Sequence, residues 1–407
     1  MIDNTLTIIL AGGHGSRLYP LTQERAKPAV PFGGKYRVID FTLTNCLHSG
    51  LRRVLVLTQY KSFSLQKHLR DGWSIFNPEL GEFITHVPPQ MRTGDHWYGG
   101  TADAVFQNLY LLERSGAKWV LVLSGDHIYR MDYAAMLKFH QEKNAEMTVA
   151  CMDVDTRQAS QFGVMSVDND YCIKRFEEKP EIPATIPGDP DHALASMGIY
   201  VFSIEKLIEV LKSDAKDAAS SHDFGHDIIP ALIDSNHVFA YRFGSTKGRV
   251  TQDKYWRDVG TLDSYYEANM DLLKPIPSID LYQPDWSIRT YHTQSPPART
   301  VPGYEGSEGI SINSITSSGV VISGGSVQQS ILSPDVFVDD EAFVFGSILL
   351  NGVRVGKGAR LQHCIVDKDV FVPDGETIGF DKVKDAERFT ISPNGVVVVP
   401  KGYQFME

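Results

Sequence analysis

The sequence predicts an α/β domain on a mostly parallel sheet, followed by a left-handed parallel β-helix. Three observations carry this expectation. Apolar runs of strand length alternate with helical patterns as far as Lys274. A stretch rich in Pro, Ser, Thr and Gly follows, "KPIPSIDLYQPDWSIRTYHTQSPPARTVPGYEGSEG". Beyond it, apolar residues recur at a step of five or six through Val338, Val344, Leu350, Val355, Leu361, Val366, Val372 and Ile378, the spacing of a β-helix in which each turn stacks its inward residue on the one before.

In chain order, "TLTIIL", "RRVLVLTQY" and "KWVLVLSGD" are the strand-like runs. Among them stand "FTLTNCLHSG", "KSFSLQKHLRDG", "TADAVFQNLYLLERSG" and "DYAAMLKFHQEK". Val120 to Leu123 are apolar at successive positions, which suits a strand covered on both faces and hence a parallel sheet. The pattern predicts a helix capped at Thr101, with Asp103 in its first turn and Gly116 as its stop. The expected division is a catalytic-sized domain over 1–275, a draped linker over 276–310 and the β-helix over 311–407.

Composition narrows the function. A formal net charge of −11 over 407 residues argues against a nucleic-acid coat or an anionic membrane surface, so any phosphate-bearing ligand needs a locally basic pocket. Cys46, Cys151, Cys172 and Cys364 form no C-x-x-C pair, which suggests neither zinc nor a disulfide framework and fits a reducing cytoplasm. An apolar run of membrane-spanning length, about 18 residues, does not occur, so the expectation is a soluble protein.

The opening "LTIILAGGHGSRLYPLTQERAKPAVPFGGKYR" places glycines directly after a strand, where backbone N–H groups approach a phosphate closely. Gly12, Gly13 and Gly15 suit that use, with Arg17 and Lys27 as fixed cations. The loop has neither the Lys-Ser/Thr ending of a Walker A motif nor a G-x-G-x-x-G frame. "VLVLSGDHIY" sets Asp126 at the carboxyl end of a second buried strand, a natural Mg²⁺ ligand beside a triphosphate; Asp258 in "YWRDVGT" is a second candidate, or simply a helix N-terminal Asp. Lys179 ends "IKRFEEK" before a proline, at the rim of a pocket or on a solvated edge strand. His222 and His226 have metal-pair spacing, but Phe224-Gly225 between them and the absent H-E-x-x-H pattern favour a helix start. Trp97, Tyr98, Tyr255 and Trp256 suit a small-molecule pocket or ordinary core better than nucleic acid, given the acidic balance. His363 raises the acyltransferase chemistry of other β-helices, without an acyl-carrier pocket signal.

"AGGHGSRL", "RAKPAVPFGGKYR", "WYGGTADAV", "SGDHIY", "FGVM", "FEEKP", "LASMGIYVF", "SSHDFG" and "YWRDVGT" resemble, in order and spacing, the motifs of the bacterial glucose-1-phosphate adenylyltransferases, across nearly the whole chain. The resemblance implies a Rossmann-like nucleotidyltransferase domain, ATP and glucose 1-phosphate as substrates, ADP-glucose for glycogen synthesis as product, Mg²⁺ as cofactor and a homotetramer. It matches Gly12, Gly13, Gly15, Arg17, Lys27, Gln59 and Trp97 to the nucleotide site. Tyr98, Gly163, Glu178, Lys179 and Ser196 match the sugar-phosphate pocket, and Asp126 and Asp258 the magnesium carboxylates. Members respond to sugar-phosphate activators and AMP; Arg25, Arg37 and Arg360 are the candidate anion contacts here. The chain departs from the family at His14, where Arg is usual, and at Glu24 and Pro31. A catalytically weak regulatory paralogue, or a relative using another nucleotide, are the alternative readings.

Overall fold

The computed structural model describes every residue except 93, 236, 245–249, 251–253 and 406–407. Its main sheet runs, in spatial order, through Ile173–Glu178, Gly163–Val167, His192–Ser203, Trp119–Ser124, Thr5–Ala11, Arg53–Thr58 and Phe83–Val87. Thr5–Ala11 is parallel to both neighbours, with Leu10 opposite Ser124 and Ala11 opposite Thr58, so three strands end at one edge. Val120 to Leu123 are fully buried, as the continuous apolar run requires. Val120 and Val122 join one core while Leu121 and Leu123 join the other, on the opposite face. His192–Ser203 turns the sheet antiparallel and pairs with Met147–Asp155, beside which Val238–Arg242 adds a parallel strand.

The helix expected to be capped at Thr101 differs in two ways. Thr101 is its first residue and Gly100 precedes it; the carbonyl of His222 accepts from Ala102 N–H at 2.8 Å and Asp103 N–H at 3.3 Å, satisfying the donors a cap would serve. An added Cβ at Gly100 would lie 2.2 Å from that carbonyl oxygen, so only glycine admits the approach. The helix also stops at Phe106 and a second piece, Leu109–Ser115, ends at Gly116 in the left-handed conformation.

Residues 276–310 run largely over the surface, as expected of a draped linker, but the first half is pinned at a few buried points. Ile279, Trp286 and Ile288 are buried in it; Trp286 Nε1 donates to Asn45 at 3.0 Å and Thr290 Oγ1 to Asp40 at 2.6 Å. The docking is selective: Ile276, Tyr282 and Tyr304 of the same segment stay exposed, so composition alone does not mark which side chains dock. Its last residues already belong to the β-helix, whose first strand is Arg299–Val301.

The β-helix has three stacked parallel faces. All eight residues of the sequence repeat, Val338 through Ile378, are buried, seven inside the β-helix and Leu350 in the cluster it shares with the first domain. One outer side continues into the first domain: Ile331, Ile348 and Ile365 pack in one cluster with Leu18, Phe32, Phe41 and Tyr265. The four cysteines are buried and none forms a disulfide. No helix among the described residues is long and apolar enough to cross a membrane.

Candidate active site

The site lies where Thr5–Ala11, Arg53–Thr58 and Trp119–Ser124 end. Each strand delivers its next residues to the same edge: the glycine loop from the first, Gln59 and Tyr60 from the second, Gly125 and Asp126 from the third. Gly15, at φ 61°, turns the loop into a short helical turn over Ser16–Leu18, which suits a residue without a Cβ. An added Cβ at Gly12 would lie 3.2 Å from Gln59 Cβ; Gln59 Oε1 in turn accepts from Tyr98 N–H at 2.9 Å. The glycine loop, Gln59 and Tyr98 therefore share one wall.

Asp258 arrives by a different route. Trp256–Asp258 pairs antiparallel with His127–Tyr129 and sets Asp258 opposite His127, hence beside Asp126. The helix-cap alternative fails here, because Thr261 caps the following helix by accepting from Ser264 N–H at 3.2 Å. Lys27 reaches between the two carboxylates, its Nζ 2.7 Å from Asp126 Oδ2 and 2.8 Å from Asp258 Oδ1. The lysine side chain is 9% exposed, against 27% and 32% for its partners. Burial alone would push Lys27 down, but the two carboxylates outweigh it and hold its pKa above the ordinary value. Burial likewise pushes Asp126 up, and Lys27, His127 and the Ser124 hydroxyl reverse the effect, leaving the carboxyl well below its ordinary range. Burial lowers the pKa of His127, whose Nε2 stands 3.5 Å from Asp126. One donor atom from each of Asp126, His127 and Asp258 lies within 4.8 Å of the others, a set that can hold a metal ion. Arg17 joins from the loop: an added Cβ at Gly260 would lie 2.9 Å from Asp258 and 3.3 Å from the Arg17 guanidinium.

Beyond Asp126 the cleft opens to about 640 Å³, the size of a small-ligand site, along Tyr98, Gly100, Glu178, Gly198, Tyr200 and Asp223. Glu178 ends its strand opposite Gly163, and Lys179 follows at φ 48° with its Nζ 3.1 Å from Glu178 and its side chain 64% exposed. Gly163 supplies room, not a contact: a Cβ there would strike Phe176 at 2.4 Å and Glu178 at 2.8 Å. Ser196 sits where the His192–Ser203 strand bulges, bonded to Gly198 N–H at 3.3 Å and to Tyr200. His222 and His226 bond separately to Asp214 and Asp227, at 2.7 and 2.9 Å, so they form no metal pair. Asp223 between them caps the next turn through Gly225 and His226 N–H.

Sequence reasoning passed over Tyr60, His127, Tyr200 and Asp223. Tyr60 and His127 follow recognised strand ends, a usable signal, whereas Tyr200 lies inside His192–Ser203; Asp223 was hidden because its cleft position depends on the contact with Thr101, made at 2.9 Å across the fold.

The three arginines expected to share an anion site do not come together. Arg25 is buried and holds both oxygens of Asp367, on the β-helix, at 2.8 Å. Arg360 lies on an outer face over the Phe343 and Phe380 rings. Only Arg37 lines the cleft between the two domains, with Lys35, Lys67, His292 and Lys368, and with Asp71 as the opposing charge.

Comparison with known proteins agrees with this geometry. The nucleotidyl transferase family model matches residues 6–275, and a GlmU-like C-terminal hexapeptide model matches 296–399. The chain is 64% identical to glucose-1-phosphate adenylyltransferase 2 of Vibrio cholerae, over 99% of each chain. It is 50% identical to the glucose-1-phosphate adenylyltransferase of Methylobacillus flagellatus, over 98% of this chain and 94% of that one. With the enzyme of that name from Koribacter versatilis it shares 46% identity over 99% and 97%. A sheet edge that gathers the glycine loop, Lys27 and two carboxylates, on a chain alike from end to end, places this protein in the glucose-1-phosphate adenylyltransferase family.

Proposed function

We propose that the protein transfers the adenylyl group of ATP to glucose 1-phosphate, releasing pyrophosphate and forming ADP-glucose for glycogen synthesis. The observation that carries this reading is Lys27 bridging Asp126 and Asp258 beside the glycine loop, at the mouth of a cleft that continues to Glu178, with Lys179 paired to Glu178 at its rim. A phosphate oxygen of glucose 1-phosphate attacks the α-phosphorus of ATP, and the bond to the pyrophosphate oxygen breaks on the opposite side. Both reactants are anionic; at an effective dielectric of about 20, two unit charges about 4 Å apart repel by about 4 kcal/mol. The protein offsets that repulsion with fixed cations. Backbone N–H groups of the glycine loop receive the triphosphate, Arg17 and Lys27 stabilise the charge building on pyrophosphate, and Lys179 holds the sugar phosphate. No nucleophilic side chain is needed.

The carboxylate pair fits Mg²⁺: two hard oxygen ligands, partly open to solvent, already converge on a positive charge. Asp126 and Asp258 would hold the ion, which supplies charge neutralisation for the phosphates when bound. Lys27 would then be released toward the triphosphate.

The direct test is pyrophosphate release by the purified protein with Mg²⁺ and glucose 1-phosphate, comparing ATP with UTP, dTTP and GTP. Turnover with ATP alone is expected; turnover with another nucleotide alone would change the substrate, and none with any nucleotide would remove the reading. Lys179→Gln should raise KM for glucose 1-phosphate by about 10- to 100-fold with a smaller change in kcat, since one charge-assisted contact is removed. An unchanged KM would take Lys179 out of the pocket.

The cleft at Arg37 is the proposed seat of a sugar-phosphate activator or AMP. Burial and the Arg37 and Arg25 charges bring Lys368 down to about 7, so its positive charge is gained as pH falls through neutrality. Inorganic phosphate analogues such as sulfate should therefore bind this cleft more tightly at pH 6 than at pH 8, and Lys368→Met should flatten that dependence in calorimetry. The expected assembly is a homotetramer, which light scattering would measure.

A further inference from the structure

The glycine loop has one side chain of its own that can anchor it. Gly12, Gly13 and Gly15 have none, and His14 is the remaining residue. Its imidazole stacks on the Tyr60 ring with centroids 3.5 Å apart and planes 28° apart. Tyr60 stacks in turn on Trp97, at 4.9 Å and 7°. Beneath these rings runs a second tie, from Gly12 against Gln59 to the Gln59–Tyr98 hydrogen bond. The rings and the hydrogen bond thus join the same three segments: the glycine loop, the end of Arg53–Thr58, and the segment entering the Thr101 helix.

We propose that the His14–Tyr60–Trp97 stack is a positioning device for the nucleotide side of the site, with His14 as the residue that fixes the glycine loop before ATP arrives. The inference rests on the adenylyltransferase reading and assigns a role that charge on His14 does not supply. A glycine loop has more backbone freedom to lose than any other, and that loss opposes binding. A stack that orders the loop in the free protein moves the cost out of the binding step, so affinity rises without a new contact to ligand. The ring's flat face does this work, so any aromatic ring at the position should preserve it.

The experiment is calorimetric titration of ATP with Mg²⁺, without glucose 1-phosphate, into the full chain and four variants: His14→Ala, His14→Phe, Tyr60→Ala and the His14→Ala/Tyr60→Ala double. Each alanine variant is expected to weaken ATP binding by about 3- to 10-fold, the range of an aromatic pair. The double should be no weaker than the worse single by more than about 2-fold, since both remove one stack. His14→Phe should stay within about 2-fold of wild type. In steady state, His14→Ala should raise KM for ATP while leaving that for glucose 1-phosphate within about 2-fold. Additive losses in the double, or a Phe variant as weak as the Ala variant, would overturn the stack as the device. Absence of ATP binding in the wild type would instead overturn the adenylyltransferase reading, and this inference with it.

Discussion

Asp126→Asn is expected to lower kcat by about 10³-fold or more, while KM for glucose 1-phosphate changes by less than about 3-fold. The substitution keeps shape and an acceptor for the Ser124 hydroxyl, so it removes charge and little else. In the free protein the Lys27 ammonium faces two carboxylates; the Asn variant leaves it facing one. The pair then offers a divalent cation one anionic ligand where two stood, and the charge building on pyrophosphate loses part of its neutralisation. The proposed sugar-phosphate end of the cleft, at Glu178 with Lys179 just after it, is carried by a different strand and should be undisturbed. Steady-state kinetics, together with Mn²⁺ titration followed by electron paramagnetic resonance, separates the two effects. Normal turnover, or Mn²⁺ affinity equal to wild type, would remove Asp126 from this role.

Much of this arrangement was legible before any coordinates, and the reason is local. Ala11 and Ser124 end runs whose continuous apolar character marks strands buried on both faces, and a loop or carboxylate immediately after such a run is placed by the sheet itself. The β-helix was legible for a similar reason: one repeated inward position is a one-dimensional pattern. What stayed hidden has the opposite character. Asp258 was named as a candidate, but the short antiparallel pairing with His127–Tyr129 that positions it is a long-range contact that no periodicity announces. The break in the Thr101 helix and its glycine start answer to the carbonyl of His222, far away in sequence. Arg25 read as a free cation because its partner, Asp367, lies on the β-helix. Residue types inform on chemistry, but pairing across domains decides whether a charge is available.

The same reasoning makes Lys27→Met the sharper test of the carboxylate pair, because the stability it costs should shrink as pH falls. In the wild type, Asp126 has its pKa depressed below the ordinary 3.8, so its contribution to stability is present above that value and is lost as pH falls through the folded pKa. Lys27 has its pKa raised above the ordinary 10.5, so its contribution is complete below that value and is lost as pH rises through the folded one. Between about pH 4 and pH 10 both hold, so the Lys27–Asp126 pair contributes evenly, while His127, its pKa lowered by burial, costs wild type and variant stability as pH falls below about 6.5 and is read from the wild-type curve. With Met at the position, two carboxylates face each other with no ammonium between them, and each opposes the ionisation of the other. Losing one partner from a fully buried pair costs about 3–5 kcal/mol; the part-exposed aspartates, 27% and 32%, reduce that to about 2–3 kcal/mol at pH 8. Acidification toward pH 5 should recover part of the loss, because a proton taken up by either carboxylate relieves the repulsion. Mg²⁺ should recover it at pH 8, and should stabilise the variant more than the wild type, where the ion must first displace an ammonium. Urea unfolding at the two pH values, with and without millimolar Mg²⁺, reads all four quantities. Equal losses at both pH values and no extra stabilisation by Mg²⁺ would mean that the two carboxylates do not form one cation site, and the proposed division of labour between lysine and metal would fall with it.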